Sequence, residues 1–181
     1  MNIGIIGSGG REHSLCFKLR DSKIIDKIFC FPGNAGTSLI AENIDIDVSD
    51  FENIKKKCEE KKIELIVVGP EKPLVDGIVE YFKKTKIKIF GPNKISSQLE
   101  GSKTFTKRLC KKYKIPTAKF EIFSEEKSAL KYLSSIKYPM VVKADGLASG
   151  KGVYICKNYK EGSLAISEIF GGRFGKADCV L

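Results

Sequence analysis

The sequence predicts an α/β protein that begins with a parallel, Rossmann-like sheet. Short runs of β-branched residues alternate with longer amphipathic stretches, which is the pattern of βαβ units. A glycine-rich turn separates the first run, Ile3–Ile6, from the stretch that follows it. The run Glu64–Val68 is apolar after its first residue, as expected of a strand that is buried on both faces of a parallel sheet.

We predict five such strands and three helices in the first hundred residues. A proline in the first turn marks the start of the third helix, and Gly91-Pro92 closes the last strand. The predicted strands are Ile3–Ile6, Lys27–Phe31, Ile44–Ile46, Glu64–Val68 and Lys88–Phe90, and the predicted helices are Arg11–Arg20, Phe51–Lys61 and Pro73–Lys84.

The pattern changes near Gly91–Gly101, where we place the boundary between two domains, residues 1–100 and 101–181. Apolar residues at helical spacing predict one long helix over Lys94–Tyr113, ending before Ile115-Pro116. The last residues, Asp178–Leu181, look like the beginning of a strand, so we expect the sequence to be a piece of a longer protein. Between them we predict strands at Ala118–Phe123, Met140–Lys143 and Val153–Cys156, and helices at Ser124–Ser135 and from Lys160 to Gly171.

Composition and charge limit the classes of function. The 181 residues carry a formal net charge of +10, but the excess is nearly all lysine on predicted helix faces, without the interleaved aromatic residues of a nucleic-acid platform. Six cysteines without a C-x-x-C pair disfavour zinc binding and are typical of reduced core thiols. The sequence opens directly on the first strand, so we expect no secretion signal, and no apolar run approaches the roughly 18 residues of a membrane span. We therefore expect a cytoplasmic protein without a specific nucleic-acid or membrane partner.

A phosphate-binding turn is predicted at Gly7–Arg11, between the first strand and the first helix. Its glycines let backbone N–H groups approach an anion at the positive end of the helix, while Arg11 adds a charged fork and Ser8 a hydroxyl. A tight turn without a ligand is the structural alternative. We interpret His13, the only histidine, as a residue that holds the loop in shape rather than as a general base.

A dinucleotide site is the sharper alternative for this turn, and two features argue against it. That fingerprint needs a third glycine where this chain has Glu12, so helix and strand could not pack as closely. It also needs an acid after the second strand, whereas this strand runs into Phe31-Pro32-Gly33-Asn34. A nicotinamide cofactor is therefore not expected.

Two further loops follow buried strands, Pro32–Thr37 after the second and Val68–Pro73 after the fourth. Ligands of open α/β sheets bind outside the carboxyl ends of the strands, so these loops and the first turn can converge on one crevice. Glu71 would then be placed to accept hydrogen bonds from sugar hydroxyls. Each loop taken singly is ordinary turn chemistry, but the three together predict a small phosphorylated sugar as ligand.

The segment Val141–Val153 predicts a loop that binds a triphosphate. A strand delivers Lys143, a glycine-rich loop follows, and Lys151 stands between two glycines. Such a loop can fold over phosphates while its N–H groups and a lysine meet the charge. It is not a Walker loop, because glycine rather than serine or threonine follows Gly-Lys. A mobile hairpin without a ligand is the alternative, and Lys103 is a further candidate phosphate contact.

Seven segments, taken in order, closely resemble the phosphoribosylamine–glycine ligase family, also called glycinamide ribonucleotide synthetases, of the ATP-grasp superfamily. They cover essentially the whole chain and form a highly specific set. Ser149 is a mild departure, because alanine is usual at that position. The segments are GSGGREH at Gly7–His13, PGNAGT at Pro32–Thr37, VVGPE at Val67–Glu71, IFGP at Ile89–Pro92, QLEGSK at Gln98–Lys103, IPTA at Ile115–Ala118 and VVKADGLASGKGV at Val141–Val153.

The resemblance implies an amino-terminal pre-ATP-grasp domain followed by the beginning of an ATP-grasp domain, with its linking helix and lid subdomain. It implies a ligase that uses ATP to phosphorylate glycine, after which the amine of 5-phosphoribosylamine attacks the glycyl phosphate, in purine synthesis. The residues that it implies for phosphoribosylamine are Ser8, Gly9, Gly10, Arg11, Asn34, Gly36 and Glu71. Those that it implies for ATP are Lys103, Lys143, Gly150, Lys151 and Gly152, and no catalytic side chain is assigned.

The resemblance also sets limits on this chain. The family's chain is more than twice as long, and we expect its Mg²⁺ ligands and most of its glycine pocket to lie beyond Leu181. We therefore expect this chain alone to be inactive, and the resemblance implies a monomeric full-length enzyme. Three alternatives stay open: another ATP-grasp ligase of purine synthesis, a non-catalytic module that binds a sugar phosphate or a nucleotide, and a basic protein that binds nucleic acid.

Overall fold

The computed structural model describes residues 1–148 and 151–181, which divide into two compact units. Unit 1 is Met1–Ser97 and unit 2 is Gln98–Leu181. Each unit has a sheet of its own. Within the described residues, no helix combines the length and the apolar character that crossing a membrane requires.

Unit 1 is a five-stranded parallel sheet with helices on both faces. Its strands are β1 (Asn2–Gly7), β2 (Lys27–Pro32), β3 (Glu42–Asn43), β4 (Ile63–Val68) and β5 (Lys88–Phe90), and its helices are α1 (Gly10–Leu19), α2 (Phe51–Glu60), α3 (Glu71–Asp76) and α4 (Ile78–Phe82), with a short 3₁₀ turn at Thr37–Leu39. The strand order is β3-β2-β1-β4-β5, and every neighbouring pair is parallel. This confirms the predicted fold class, and it is the Rossmann arrangement, in which the strand order reverses between β1 and β4.

The side chains of β1 divide between two cores. Ile3 and Ile5 pack with Cys16 of α1 on one face of the sheet. Ile6 lies on the other face, in a core with residues of α2 and α4 such as Ile54 and Phe82. Because successive strand side chains point to opposite faces, a strand that is covered on both faces must be apolar throughout. The apolar run of β4 has the same cause.

Two predicted elements of unit 1 were wrong in detail. The third strand lies at Glu42–Asn43 rather than at Ile44–Ile46, because pairing with β2 ends at Asn43 while the isoleucines turn to pack against the core. The predicted helix Pro73–Lys84 begins at Glu71 and is divided at Gly77, whose φ of +100° lies in the left-handed region and ends a helix.

Unit 2 is built on a four-stranded antiparallel sheet. Its elements are α6 (Lys103–Tyr113), β6 (Ile122–Phe123), α7 (Glu126–Leu133), β7 (Met140–Ala144), β8 (Val153–Cys156), α8 (Tyr159–Phe170) and β9 (Cys179–Val180), and α5 (Lys94–Gly101) precedes them across the boundary between the units. The strand order is β6-β9-β7-β8. Residues of α7 and α8, among them Leu133 and Ile166, form a core with Val142 on one face of the sheet. On the other face Val153 and Ile155 are exposed.

Two predictions for unit 2 also need correction. The predicted helix Lys94–Tyr113 is two helices, because Ser102 is extended and caps α6, its hydroxyl oxygen accepting the Phe105 N–H at 3.0 Å. The strand predicted at Ala118–Phe123 is reduced to Ile122–Phe123, which pairs with β9. Ala118 instead accepts a hydrogen bond from the Lys107 ammonium through its carbonyl.

Most of the cysteines were predicted to be small core side chains, and Cys16, Cys30, Cys58 and Cys156 are buried; for Cys179, near the end of the chain, the sequence supported no prediction. All six are free, and five of them are buried, Cys110 being half-buried. Cys16 and Cys30 form the closest pair, with 3.2 Å between their sulfur atoms in the core under α1. Burial raises the pKa of Cys58 and of Cys179 to about 12, so both thiols stay protonated at neutral pH.

Candidate functional site

The first candidate site lies at the carboxyl edge of the unit 1 sheet, where β1, β2 and β4 end. This edge includes the point between β1 and β4 at which the strand order reverses, the usual ligand position in open α/β sheets. The Gly33 N–H donates to the Gly7 carbonyl (3.1 Å), and the Gly69 N–H donates to the Ile6 carbonyl (3.0 Å). The loops after β2 and β4 are thus both bonded to the end of β1 and lie side by side.

The turn from β1 into α1 presents backbone donors to solvent. Residues 8–11 are exposed, and Gly9 is the amino-terminal cap of α1. Among the described residues, nothing accepts a hydrogen bond from the N–H groups of Ser8, Gly10 or Arg11. These donors lie at the positive end of the helix dipole, so the turn can bind an anion such as a phosphate.

Arg11 and Glu71 face each other across the opening of this site. An Arg11 guanidinium nitrogen lies 3.4 Å from a Glu71 carboxylate oxygen, and the Arg11 side chain is 68% exposed. An exposed pair at this distance contributes little stability, about 0 to 1 kcal/mol. Both side chains can therefore turn to a ligand at small cost.

The side chain of Asn34 organises the loop after β2. Its amide nitrogen donates to the carbonyls of Ser8 (2.9 Å) and Gly9 (3.1 Å). Its amide oxygen accepts the N–H groups of Gly36 (2.7 Å) and Thr37 (3.0 Å). Both ends of the amide are therefore engaged within the protein, and they join the second loop to the phosphate-binding turn.

His13 and Gly36 are in close contact. A Cβ built at Gly36 would lie 2.7 Å from two atoms of the imidazole ring, so the ring packs directly on the glycine. His13 is only half-buried, and it follows Glu12 in the first turn of α1. This packing supports the interpretation that His13 holds the loop in shape.

The second candidate site lies in unit 2, where the start of α6 meets the end of β7. The Asp145 carboxylate accepts hydrogen bonds from the Ser102 hydroxyl (2.9 Å) and the Thr104 N–H (3.0 Å). Beside it, the Lys103 ammonium donates to the Gly146 carbonyl at 2.8 Å. One carboxylate and one ammonium thus fix the first residues of the glycine-rich loop to the helix.

Charge is concentrated at this point of unit 2. Burial opposes ionisation of Asp145, but its hydrogen bonds from Thr104 and Ser102 outweigh this and hold the pKa of the carboxyl below its usual range. Burial lowers the pKa of Lys103; the charge of Asp145 opposes that shift, and the charge of Lys143 adds to it. Lys103 bonds to the Gly146 carbonyl and Lys143 belongs to β7, so both lysines predicted to contact phosphate lie where β7 ends.

The glycine-rich loop is described at both of its ends. Lys143 pairs with Val153 in the sheet, on the face opposite the core. The Gly152 carbonyl accepts the Ala144 N–H at 2.8 Å, which closes the base of the loop. Lys151 is exposed, and Gly150, the remaining predicted residue, lies outside the described residues.

Sequence reasoning missed three of the residues that organise these sites. Glu12 was read only as a departure from a dinucleotide motif, yet it is buried and bonded to the Gly9 N–H. Ser102 and Asp145 lie within the family motifs, but the sequence indicates no structural role for either residue. A helix cap was the local signal available for Ser102, and it was hidden by the periodicity of a longer helix. Asp145 has no local signal, because its partners lie more than 40 residues away.

Comparison with protein families gives two matches that together span the chain. The family described as "Phosphoribosylglycinamide synthetase, N domain" matches residues 1–100. The one described as "Phosphoribosylglycinamide synthetase, ATP-grasp (A) domain" matches residues 101–181.

Individual proteins show the same similarity. A phosphoribosylamine–glycine ligase of Haemophilus influenzae is 48% identical over 180 residues, covering 98% of this chain and 42% of that protein. The crystal structure of a phosphoribosylamine–glycine ligase from Thermotoga maritima matches with a TM-score of 0.79 and 31% identity, over 99% of this chain and 43% of that one. A carboxyaminoimidazole ribonucleotide synthase from Aspergillus clavatus, complexed with ATP, shares the fold at a TM-score of 0.75 and 16% identity, over 99% of this chain and 46% of that one. The chain spans about two fifths of the length of the curated relatives that it matches.

Proposed function

Because the chain belongs to the phosphoribosylglycinamide synthetase family, we propose that it carries the sugar-phosphate site and part of the ATP site of a phosphoribosylamine–glycine ligase. The whole protein would join glycine to 5-phosphoribosylamine at the expense of ATP, giving glycinamide ribonucleotide for purine synthesis. The observation that carries the proposal is the junction of three strand-end loops around the exposed N–H groups at the start of α1. We propose the cytoplasm as its location and a monomer as the state of the full-length enzyme.

The phosphate of 5-phosphoribosylamine would bind at the turn Gly7–Arg11. The N–H groups of Ser8, Gly10 and Arg11 would donate to its oxygens, and the Arg11 guanidinium would add charge. The Gly9 N–H is already taken by Glu12 at 2.6 Å. Gly9 would therefore contribute close approach of the backbone rather than a hydrogen bond.

The ribose would lie toward Glu71, whose carboxylate would accept hydrogen bonds from the sugar hydroxyls. Arg11 would leave Glu71 for the phosphate, which the weak 3.4 Å contact between them permits. Asn34 and Gly36 would shape this side of the site, because the Asn34 amide is occupied by loop contacts. This arrangement would present the amine at the sugar's first carbon to an activated glycine.

The triphosphate would be held by unit 2. Lys103, Lys143 and Lys151 supply positive charge, and the position of the first two at the end of β7 fits a polyanion. Gly150 and Gly152 would let the loop backbone approach the phosphates. When bound, ATP supplies the phosphoryl group that makes the carboxylate of glycine reactive toward an amine.

The described residues do not fit a magnesium site. They contain no group of three or more histidine, cysteine, aspartate or glutamate side chains that could hold a metal ion. We therefore assign no step of the reaction to a metal held by this chain. We propose that the Mg²⁺ ligands and most of the glycine pocket belong to the part of the relatives' length that this chain does not span.

Ribose 5-phosphate tests the sugar-phosphate site directly in this chain. We expect calorimetry to show binding of ribose 5-phosphate and none of ribose, because the phosphate provides the charge that the turn recognises. Arg11→Ala should weaken the affinity about tenfold, as expected for one charge-assisted contact. Lys88→Ala, on the distant strand β5, serves as the control. Equal binding of ribose, or an unchanged affinity in Arg11→Ala, would contradict the proposed site.

A turnover assay tests whether this chain can catalyse the reaction without the rest of the protein. With ATP, glycine and 5-phosphoribosylamine supplied, we expect no phosphate release by the 181-residue chain above the rate without protein. The reason is that the phosphates need a bridging metal, and the described residues offer no cluster of side chains that could bind one. Phosphate release at the rate of a full-length family member would refute this expectation.

A further inference from the structure

The side chain of Glu12 lies buried between two of the loops that form the sugar-phosphate site. We infer that Glu12 is a positioning residue, which fixes the phosphate-binding turn after β1 against the loop after β4. The inference rests on the proposed sugar-phosphate site. It assigns to Glu12 no contact with the ligand.

The two oxygens of the Glu12 carboxylate have different surroundings. One accepts the Gly9 N–H at 2.6 Å and so closes the turn at the start of α1. The other is buried, and no hydrogen-bond donor for it exists within residues 1–148 and 151–181. The whole residue is only 3% exposed. Burying a carboxylate oxygen without a hydrogen bond opposes folding, so packing alone does not account for a glutamate here.

Glycines on both loops make room for this one side chain. A Cβ built at Gly69, after β4, would lie 2.0 Å from the unbonded Glu12 oxygen, and one built at Gly9 would lie 2.9 Å from the other oxygen. Neither glycine has the positive φ that would demand glycine for its backbone conformation. The space that Glu12 needs therefore requires glycine at position 69 and also restricts the side chain at position 9.

The two loops are thus joined at two levels. At the surface the link is the weak contact between Arg11 and Glu71, which a ligand can replace. Beneath it the link is Glu12, which touches Gly69 two residues before Glu71 and bonds to Gly9 two residues before Arg11. Glu12 would hold the phosphate-binding turn and the loop that carries Glu71 at a fixed distance after Arg11 and Glu71 have separated.

A pair of substitutions on opposite loops tests this coupling. Glu12→Ala should weaken binding of ribose 5-phosphate about tenfold, whereas Glu12→Gln, which keeps an oxygen for the Gly9 N–H, should stay within about threefold. Gly69→Ala forces the carboxylate aside from the other loop and should weaken binding about fivefold on its own. In the Glu12→Ala background the same Gly69→Ala change should have no effect, because nothing is left to displace.

Glu80→Ala is the matched control for stability. Glu80 also accepts a backbone N–H of a helix start, that of Lys94 at 2.9 Å, and also has a second oxygen that is buried without a donor in the described chain. We expect Glu80→Ala to lower the thermal stability of unit 1 as Glu12→Ala does, while leaving the affinity for ribose 5-phosphate unchanged. Additive effects of Glu12→Ala and Gly69→Ala, or an equal loss of affinity in Glu80→Ala, would overturn the inference.

Amide hydrogen exchange tests the same coupling without a ligand. In Glu12→Ala and in Gly69→Ala we expect faster exchange at the amides of Gly9, residue 69 and Glu71, since each change releases both loops. Faster exchange at one loop only would also overturn the inference. If wild-type chain fails to bind ribose 5-phosphate, the proposed site fails, and the exchange experiment still decides the role of Glu12.

Discussion

Asn34→Ala is expected to remove most of the affinity of the chain for ribose 5-phosphate. The Asn34 amide makes four hydrogen bonds, two that join the loop after β2 to the turn after β1 and two that hold the loop itself in shape. At a net value near 0.5 to 1.5 kcal/mol each, with water replacing some of them, their loss should cost about 2 to 3 kcal/mol of the free energy of unfolding of unit 1. Calorimetry should show a loss of affinity of about thirtyfold or more, because the Ser8 and Gly9 carbonyls are released next to the phosphate donors.

Asn34→Asp tests whether the hydrogen-bond donor of the side chain is needed, because aspartate has nearly the same size as asparagine. Aspartate keeps the acceptors for the N–H groups of Gly36 and Thr37 but replaces the donor that faces the Ser8 and Gly9 carbonyls with a charged oxygen. We expect a loss of affinity at least as large as in Asn34→Ala. Asn53→Ala is the control, since the Asn53 side chain donates to the Asp50 carboxylate at the exposed start of α2. Wild-type affinity in Asn34→Asp would show that the link to the turn is unimportant.

Asp145→Ala is expected to destabilise unit 2 strongly. The substitution leaves the Ser102 hydroxyl and the Thr104 N–H without their acceptor and releases the start of α6 from the end of β7. Two hydrogen bonds to a half-buried charged group predict a loss of about 2 to 4 kcal/mol in the free energy of unfolding. Urea unfolding followed by tyrosine fluorescence reports this change, because five of the six tyrosines lie in unit 2.

The Asp145 carboxylate also makes the free energy of unfolding of unit 2 depend on pH. Its pKa is lower in the folded unit than the unfolded value of about 3.9, so its contribution to stability is complete above that value and is lost as the pH falls through the folded pKa. The difference in unfolding free energy between wild type and Asp145→Asn should therefore shrink as the pH is lowered through this range. Asp178→Ala is the control, because the Asp178 backbone carbonyl, which the substitution keeps, is the group that accepts the Asp145 N–H. A difference that is constant from neutral to acidic pH would contradict this account of Asp145.

The unit 1 elements that were predicted well are those fixed by local periodicity. β1, β2 and β4 were placed within a residue, since runs that are buried on both faces are largely apolar. The edge strand β5 is largely exposed, and its end was marked by Gly91-Pro92. β3 was misplaced because its two residues, Glu42 and Asn43, are polar and pair at the sheet edge, while the apolar Ile44 and Ile46 pack on the core. A strand of two residues has no periodicity that a sequence can display.

The helices failed where a single residue divided a periodic run. Gly77 adopts a left-handed conformation between α3 and α4, and Ser102 caps α6 in the middle of one predicted helix. In both places the apolar spacing continues across the break. The break itself depends on backbone conformation and on partners such as Asp145, which lies in a different part of the chain.

The sequence by itself determined that three loops follow buried strands of a parallel sheet and that one of them opens a helix. That much follows from local turn chemistry and from the rule that parallel strands end at one edge. Only the tertiary structure decided which side chains hold these loops together: Asn34 bonds to Ser8, and Glu12 packs against Gly69. The same is true in unit 2, where Asp145 bonds to Ser102. These partners are separated by 26 residues in the first case and 43 in the last, so no local pattern records them. Which groups lie within hydrogen-bonding or packing distance of these side chains is determined by the fold.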